Sequence, residues 1–168
     1  MREVVLHNSS LRAIIDDEDY ELVSQHKWYA LKGHNTMYAE ASHPNSGGKV
    51  LMHRLILKPG ELHVDHIDNN GLNNQRSNLR FATTSQNQMN ARKQLDTTSK
   101  YKGVHYCKRE KRWQARIAIN GLPRRSLGYF STEVEAAQAY NLAASKLFGE
   151  YAKLNKTQLT VRSYTDGT

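Results

Sequence analysis

Apolar residues in this chain come in short alternating runs separated by turn-forming residues, which is the pattern of brief strands. Val4-Val5-Leu6 and Leu11-Arg12-Ala13-Ile14-Ile15 predict two of them. Asp16-Asp17-Glu18-Asp19-Tyr20 then opens a short helix whose acidic residues suit its N-terminal dipole, and that role is preferred over a metal site for this cluster. Trp28-Tyr29-Ala30 and Met37-Tyr38-Ala39 continue as strands toward Val50–Leu57. From Glu61 the run ELHVDHI alternates between Gly60 and the turn-rich Asp68-Asn69-Asn70-Gly71, so a strand enters a tight loop. Asn78-Leu79-Arg80-Phe81-Ala82 predicts a second strand. Thr83 and Gln86 have the capping-box spacing that opens a helix, with Asn87 in its first turns.

Ala91–Lys100, ARKQLDTTSK, has no apolar period and reads as a linker. Beyond it, Tyr101–Tyr106 and Trp113–Ile119 alternate as strands, Asn120-Gly121 signals a hairpin, and Arg124–Phe130 supplies a third strand. Ser131 or Thr132 caps a helix on which Val134, Ala137, Tyr140, Ala144 and Leu147 recur at helical spacing. Trp113 belongs to the packing between sheet and helix.

Composition changes the picture in two ways. At 168 residues and 38% hydrophobic content, apolar material is too sparse for one large core, so two or three small units are expected. The chain holds 24 Lys and Arg against 16 Asp and Glu, and residues 97–156 alone hold 12 against 4, which accounts for the whole surplus of +8. A surplus so concentrated is the footprint of phosphate binding. The single Cys107 rules out an internal disulfide and a paired-cysteine zinc site. No apolar stretch approaches membrane-spanning length and Met1–Ser10 lacks a signal-peptide pattern, so no membrane partner and a cytoplasmic site are expected.

Candidate chemistry lies in Val64–Asn90. An Asp-His pair alone is usually just two solvated side chains, but here Asp65-His66 stands at a strand–loop junction where both side chains can reach one site. Asp65 and Asn87 offer one carboxylate and one amide oxygen, a sufficient protein share for a Mg²⁺ that keeps waters and takes a substrate phosphate. His66 titrates near neutrality and can act as a base. Asn69, Asn70, Asn73 and Asn74 are assigned to the turn.

This order of residues resembles the ββα-metal core of HNH endonucleases, in the subgroup of phage and intron homing enzymes. The resemblance makes His66 the general base, Asp65 and Asn87 the metal ligands, and Asn78 the residue bracing the loop behind the histidine. The third motif position is Asn, not His, which favours Mg²⁺ or Mn²⁺. His53-Arg54-Leu55 matches the family's HRL element and is given a supporting place near phosphate, and Asn90 is either a further support or a solvated helix position. The implied reaction is hydrolysis of a DNA phosphodiester to 5′-phosphate and 3′-hydroxyl.

The C-terminal part resembles the DNA-binding domain of plant Apetala/ethylene-response-factor regulators, carrying YKGV, WQARI, LGYF, EAAQAYNLAA and AKLN in order. That resemblance implies a sheet docked in the major groove, with Lys102, His105, Arg116 and Arg124 at matching positions. Lys108, Arg109, Arg112 and Arg125 join them as DNA-binding candidates. Cys107, Ala118 and Ser126 depart from the family pattern, so docking mode carries over better than base preference.

The expected fold is α+β: an accessory β-rich region over 1–49, the nuclease core over 50–93, a linker over 94–100, a three-stranded antiparallel sheet packed on one helix over 101–156, and a tail over 157–168. The expected function is a site-specific, Mg²⁺- or Mn²⁺-dependent homing endonuclease on double-stranded DNA, phage-encoded in a bacterial cytoplasm, a monomer with a dimer as the alternative. The rival from another class is a DNA-binding regulator with an inactive nuclease scaffold. A restriction or packaging nuclease of loose specificity would keep the chemistry.

Overall fold

A computed structural model describes residues 1–42, 47–91, 93, 98–119 and 122–157. The chain divides into two compact units, Met1–Arg92 and Lys93–Thr168. No helix among the described residues is long and apolar enough to cross a membrane.

In the first unit, strands β1 (Arg2–Val5) and β2 (Arg12–Ile15) form an antiparallel hairpin. Alternation along β2 sinks Ala13 and Ile15 completely into the core. The next residues were expected to cap a helix, but Asp16 makes no capping hydrogen bond. Its carboxylate instead accepts from the backbone N–H of Arg76 at 2.8 Å and from the Gln75 amide at 3.1 Å. Buried Asp19 grips the Arg76 guanidinium at 2.6 and 3.0 Å. A forked, charge-assisted pair outcompetes the weak dipole of so short a helical segment. Ile14 adds a parallel bridge to Asn73, with its N–H donating to Leu72 O at 2.8 Å and its carbonyl accepting from Asn74 N–H at 2.7 Å. The hairpin thereby pins the loop that runs past the chemistry.

Helix α1 (Tyr20–Ser24) leads to Trp28, which is fully buried and donates its indole N–H to Val23 O at 2.8 Å. A second sheet follows, β3 (Tyr29–Lys32), β4 (Met37–Ser42) and β5 (Lys49–Leu51). Strands were expected to continue toward Val50–Leu57, with no helix foreseen there. Strand β5 stops at Leu51, and Met52–Leu57 is helix α2, burying Met52, His53 and Ile56 on one helical face. Left-handed Lys58 and then Pro59 end it. Leu6, Ile15, Val23, Trp28, Met52, Ile56 and Leu79 share one core, so the β-rich region over 1–49 packs into the same body as 50–91.

Strands β6 (His63–His66) and β7 (Leu79–Ala82) pair antiparallel, with Asp65 opposite Arg80 and His66 opposite Leu79. Helix α3 (Thr84–Asn90) follows, opened by the Thr83–Gln86 capping box that its sequence predicts.

The second unit is the three-stranded antiparallel sheet β10-β9-β8, from β8 (Val104–Cys107), β9 (Arg112–Ile117) and β10 (Arg125–Phe130), packed on helix α4 (Glu133–Phe148). Thr132 caps α4 in a second capping box with Glu135. Ala136, Ala137, Tyr140, Ala144 and Phe148 form the buried stripe, whereas Leu147, expected inward, is 46% exposed. A Cβ on Gly103 would lie 2.1 Å from the Tyr140 ring, so the helix approaches this closely only over glycine. Trp113 packs partly buried against Tyr101, Val104 and Ala115, as expected. Asn155 returns to the start of β8, exchanging hydrogen bonds with the Lys102 backbone at 2.6 and 3.0 Å. The Asn120-Gly121 turn, the tail from 158 and linker residues 94–97 lie outside the described residues. Thr98–Lys100, expected in that linker, belong to the second unit, where Ser99 donates to Glu133 at 2.6 Å.

Candidate active site

Neighbouring residues on a strand face opposite ways, yet Asp65 and His66 both line one cleft of about 290 Å³ because β6 ends at His66. Asn87 reaches the same cleft from α3, and Tyr38 from β4.

His66 is 6% exposed, and its Nε2 lies 3.3 Å from Asn74 Oδ1. Asn74 is fully buried, and its own amide N–H₂ donates to Leu72 O at 3.2 Å, which turns the amide oxygen toward the imidazole. That oxygen can only accept, so the imidazole carries its hydrogen on Nε2 and keeps the Nδ1 lone pair. Burial pushes the His66 pKa below its ordinary value, against the opposing influence of Asn74, Asp68 and Asp65. A neutral, proton-accepting imidazole at pH 7 results. The sequence pattern assigns Asn74 only to a turn. Nothing in its spacing marks it, because its partner is set by the Ile14 bridge from a distant hairpin.

Asn78 spans the loop behind His66. Its Oδ1 accepts from Asp68 N–H at 3.0 Å, and its Nδ2 donates to Asp68 Oδ1 at 3.0 Å and to Asn73 O at 2.8 Å. The HRL element lies on helix α2, beside the cleft residues. His53 is 6% exposed with its ring edge-on to His66 at 4.9 Å, and it does not line the cleft. Burial first, then the charges of His66 and Arg54, push its pKa to about 3, so it is a neutral wall behind the imidazole. Arg54 donates to Leu62 O at 3.1 Å and Gly60 O at 2.9 Å and braces the turn into β6.

Asp65 is 4% exposed and already engaged. Its Oδ2 accepts from Arg80 at 2.7 and 2.9 Å, and Asn90 Nδ2 donates to both oxygens, at 2.9 and 3.0 Å, and to His66 O at 2.9 Å. Asn90, buried to 2%, is therefore a strut between helix and strand and not a solvated position. A carboxylate has about four lone-pair sites. Both Arg80 contacts fall on Oδ2, so that among the described residues Oδ1 accepts from Asn90 alone. The Asn87 amide has no hydrogen-bond partner among the described residues. No cluster of three or more His, Cys, Asp or Glu suited to a metal occurs among them either. One carboxylate oxygen and one amide oxygen fit a hard cation that keeps several waters, and do not fit an all-protein cage.

Tyr38 was missed by the sequence analysis. Its ring is wedged so that a Cβ on Gly33 or Gly71 would lie 2.5 or 2.6 Å from it, and it touches both His53 and His66. Burial, then the Asp65 charge, raise its pKa, so the phenol stays protonated.

In the second unit, alternation along β9 turns Ala115 and Ile117 inward and leaves Arg112 and Arg116 exposed. Arg124 and Arg125 are exposed where β10 begins. Lys108 and Arg109 occupy the β8–β9 turn, with Arg109 paired to Glu110 at 2.8 Å. His105 stands opposite Gln114, its pKa lowered by partial burial and then by Arg116. Lys102 is set apart by the Asn155 junction, where burial and then Lys153 push its pKa down to about 8.

The family described as HNH endonuclease matches residues 50–89, from β5 through most of α3. Over 152 residues, 86% of this chain and 74% of the relative, the sequence is 38% identical to an uncharacterised HNH endonuclease of Acanthamoeba polyphaga mimivirus. The chain belongs to the HNH endonuclease family and is a nuclease that cleaves DNA. It is also 33% identical to Protein 3.8 of Escherichia phage T7 over 63 residues, 38% of this chain and 52% of that protein. A 58-residue stretch, 34% of this chain and 10% of the relative, is 48% identical to an AP2-like ethylene-responsive transcription factor of Arabidopsis thaliana. No solved structure matches.

Proposed function

We propose a site-specific DNA endonuclease of the homing type, dependent on Mg²⁺ or Mn²⁺, in which the first unit cuts and the second anchors the duplex. The observation that carries it is one cleft lined by a neutral imidazole, a carboxylate and an amide, His66, Asp65 and Asn87. His66 Nδ1 takes a proton from the attacking water, while Asn74 holds the ring by its opposite nitrogen. Asp65 and Asn87 hold the divalent cation, which when bound stabilises charge on the phosphate and the departing 3′ oxygen. Asn78 keeps the loop, and with it the imidazole, in place. Products are a 5′-phosphate and a 3′-hydroxyl. The AP2-like match and the exposed arginines of β9 and β10 support docking of the second unit's sheet in the major groove. They also support the regulator alternative, but an occluded or dismantled cleft would then be expected, and this one is intact.

Supercoiled DNA incubated with the protein in Mg²⁺ is expected to become nicked or linear, and to stay supercoiled in EDTA or with Asp65→Ala. Equal cutting in EDTA would overturn the metal assignment, and sequence-specific binding without any cutting would favour the regulator. Asn78→Ala should lower the cleavage rate by roughly 10- to 100-fold, the usual cost of losing an outer support of a site. Its thermal melt should move far less. A rate unchanged within error would remove Asn78 from the site.

A further inference from the structure

Gln114 is a buried polar residue on the sheet face turned away from α4. Only 3% of it is exposed, although its strand neighbours on that face, Arg112 and Arg116, are open to solvent. Both ends of its amide are used. Oε1 accepts from Arg116 Nε at 2.9 Å, and Nε2 donates to Ser126 Oγ at 2.8 Å across to β10. The register explains the arrangement, since Ser126 is the cross-strand partner of Arg116, and His105, which also hydrogen-bonds Gln114, is the partner on β8.

A guanidinium has five N–H donors in a rigid plane. Holding Arg116 by Nε leaves the outer edge, with both terminal nitrogens, to meet a ligand. That edge matches the O6 and N7 acceptors that guanine presents in the major groove. Gln114 cannot itself read adenine, because its amide is buried and engaged at both ends. We propose that Gln114, supported by Ser126, is the positioning residue that fixes Arg116 for a guanine contact in the major groove. The inference rests on the reading of the second unit as the DNA anchor, and what it adds is the side chain that orders the arginine before DNA arrives. An exposed arginine ordinarily loses rotamer freedom on binding. Here that ordering is built into the free protein.

The test is selection of the full chain on a randomised duplex library in EDTA, with affinity then measured on the enriched duplex and on versions changed one base pair at a time. The wild type should enrich a site with one guanine whose replacement by adenine or by 7-deazaguanine weakens binding. Arg116→Ala should lose roughly 10- to 100-fold of discrimination at that position alone. Gln114→Leu should lose about 3- to 10-fold of the same discrimination. Gln114→Glu, which keeps the acceptor for Nε, should retain it. If Gln114→Leu does not fold, Ser126→Ala, at an exposed position, replaces it and should give the smaller loss of the same kind. Arg116→Ala weakening all duplexes alike, with a shallower salt dependence, would make Arg116 a phosphate contact and overturn the proposal. So would full guanine preference in Gln114→Leu, or loss of an adenine preference there. A wild type that enriches no sequence would sink the anchor reading itself, which is a different result from an enriched site without the arginine-dependent guanine.

Discussion

His66→Ala is expected to cut the single-turnover cleavage rate by about 10²- to 10⁴-fold, the usual worth of a positioned general base. Duplex affinity measured in EDTA should be essentially intact. The imidazole is 6% exposed at the floor of the cleft, so it contributes little contact area to DNA, and its value lies in the Nδ1 lone pair. Removing it leaves Asn74 Oδ1 without its partner, and a thermal melt should accompany the kinetics to show that the variant is folded. A matching loss of affinity, or cleavage that survives, would take His66 out of the role of base.

The second large effect falls on Arg80, which grips the Asp65 carboxylate. Arg80→Ala should destabilise the first unit by about 3–5 kcal/mol, because it strands a buried carboxylate with only the Asn90 amide for company. Against a typical domain stability of about 5–15 kcal/mol, that is a large fraction. The same variant offers a direct probe of Asp65. With the guanidinium gone, the carboxylate has a greater need of a cation, so added Mg²⁺ should raise the melting temperature of Arg80→Ala more than that of the wild type. Identical Mg²⁺ responses would mean that Asp65 does not hold the ion.

Local signals in the sequence were enough for the strand–strand–helix that carries Asp65, His66 and Asn87, because a capping box and period-two alternation are written in neighbouring residues. Met52–Leu57 was not legible in the same way. A six-residue segment with four apolar positions, MHRLIL, suits strand and helix equally, and burial of His53 beside His66 decides for helix only once the core exists. Long-range partners were invisible for a similar reason. Arg80 looks like an ordinary strand cation until the register places it opposite Asp65, and Asp16 and Asp19 look like helix caps until Arg76 arrives from 57 or more residues away. Along α4, Phe148 and Leu147 differ by one position, and only the packed helix shows which of them faces the sheet.

The hooking of β2 onto the loop at Leu72–Arg76 sets the smallest portable cutter. A transplant carrying only 50–93 would keep Asp65, His66 and Asn87 in sequence but would abandon the Ile14 bridge and the Asp16 and Asp19 anchors. The carbonyl that orients the imidazole would then hang on an untethered turn. Anyone grafting this nuclease onto a different targeting module should therefore move residues 1–92 as one cassette and exchange only the second unit.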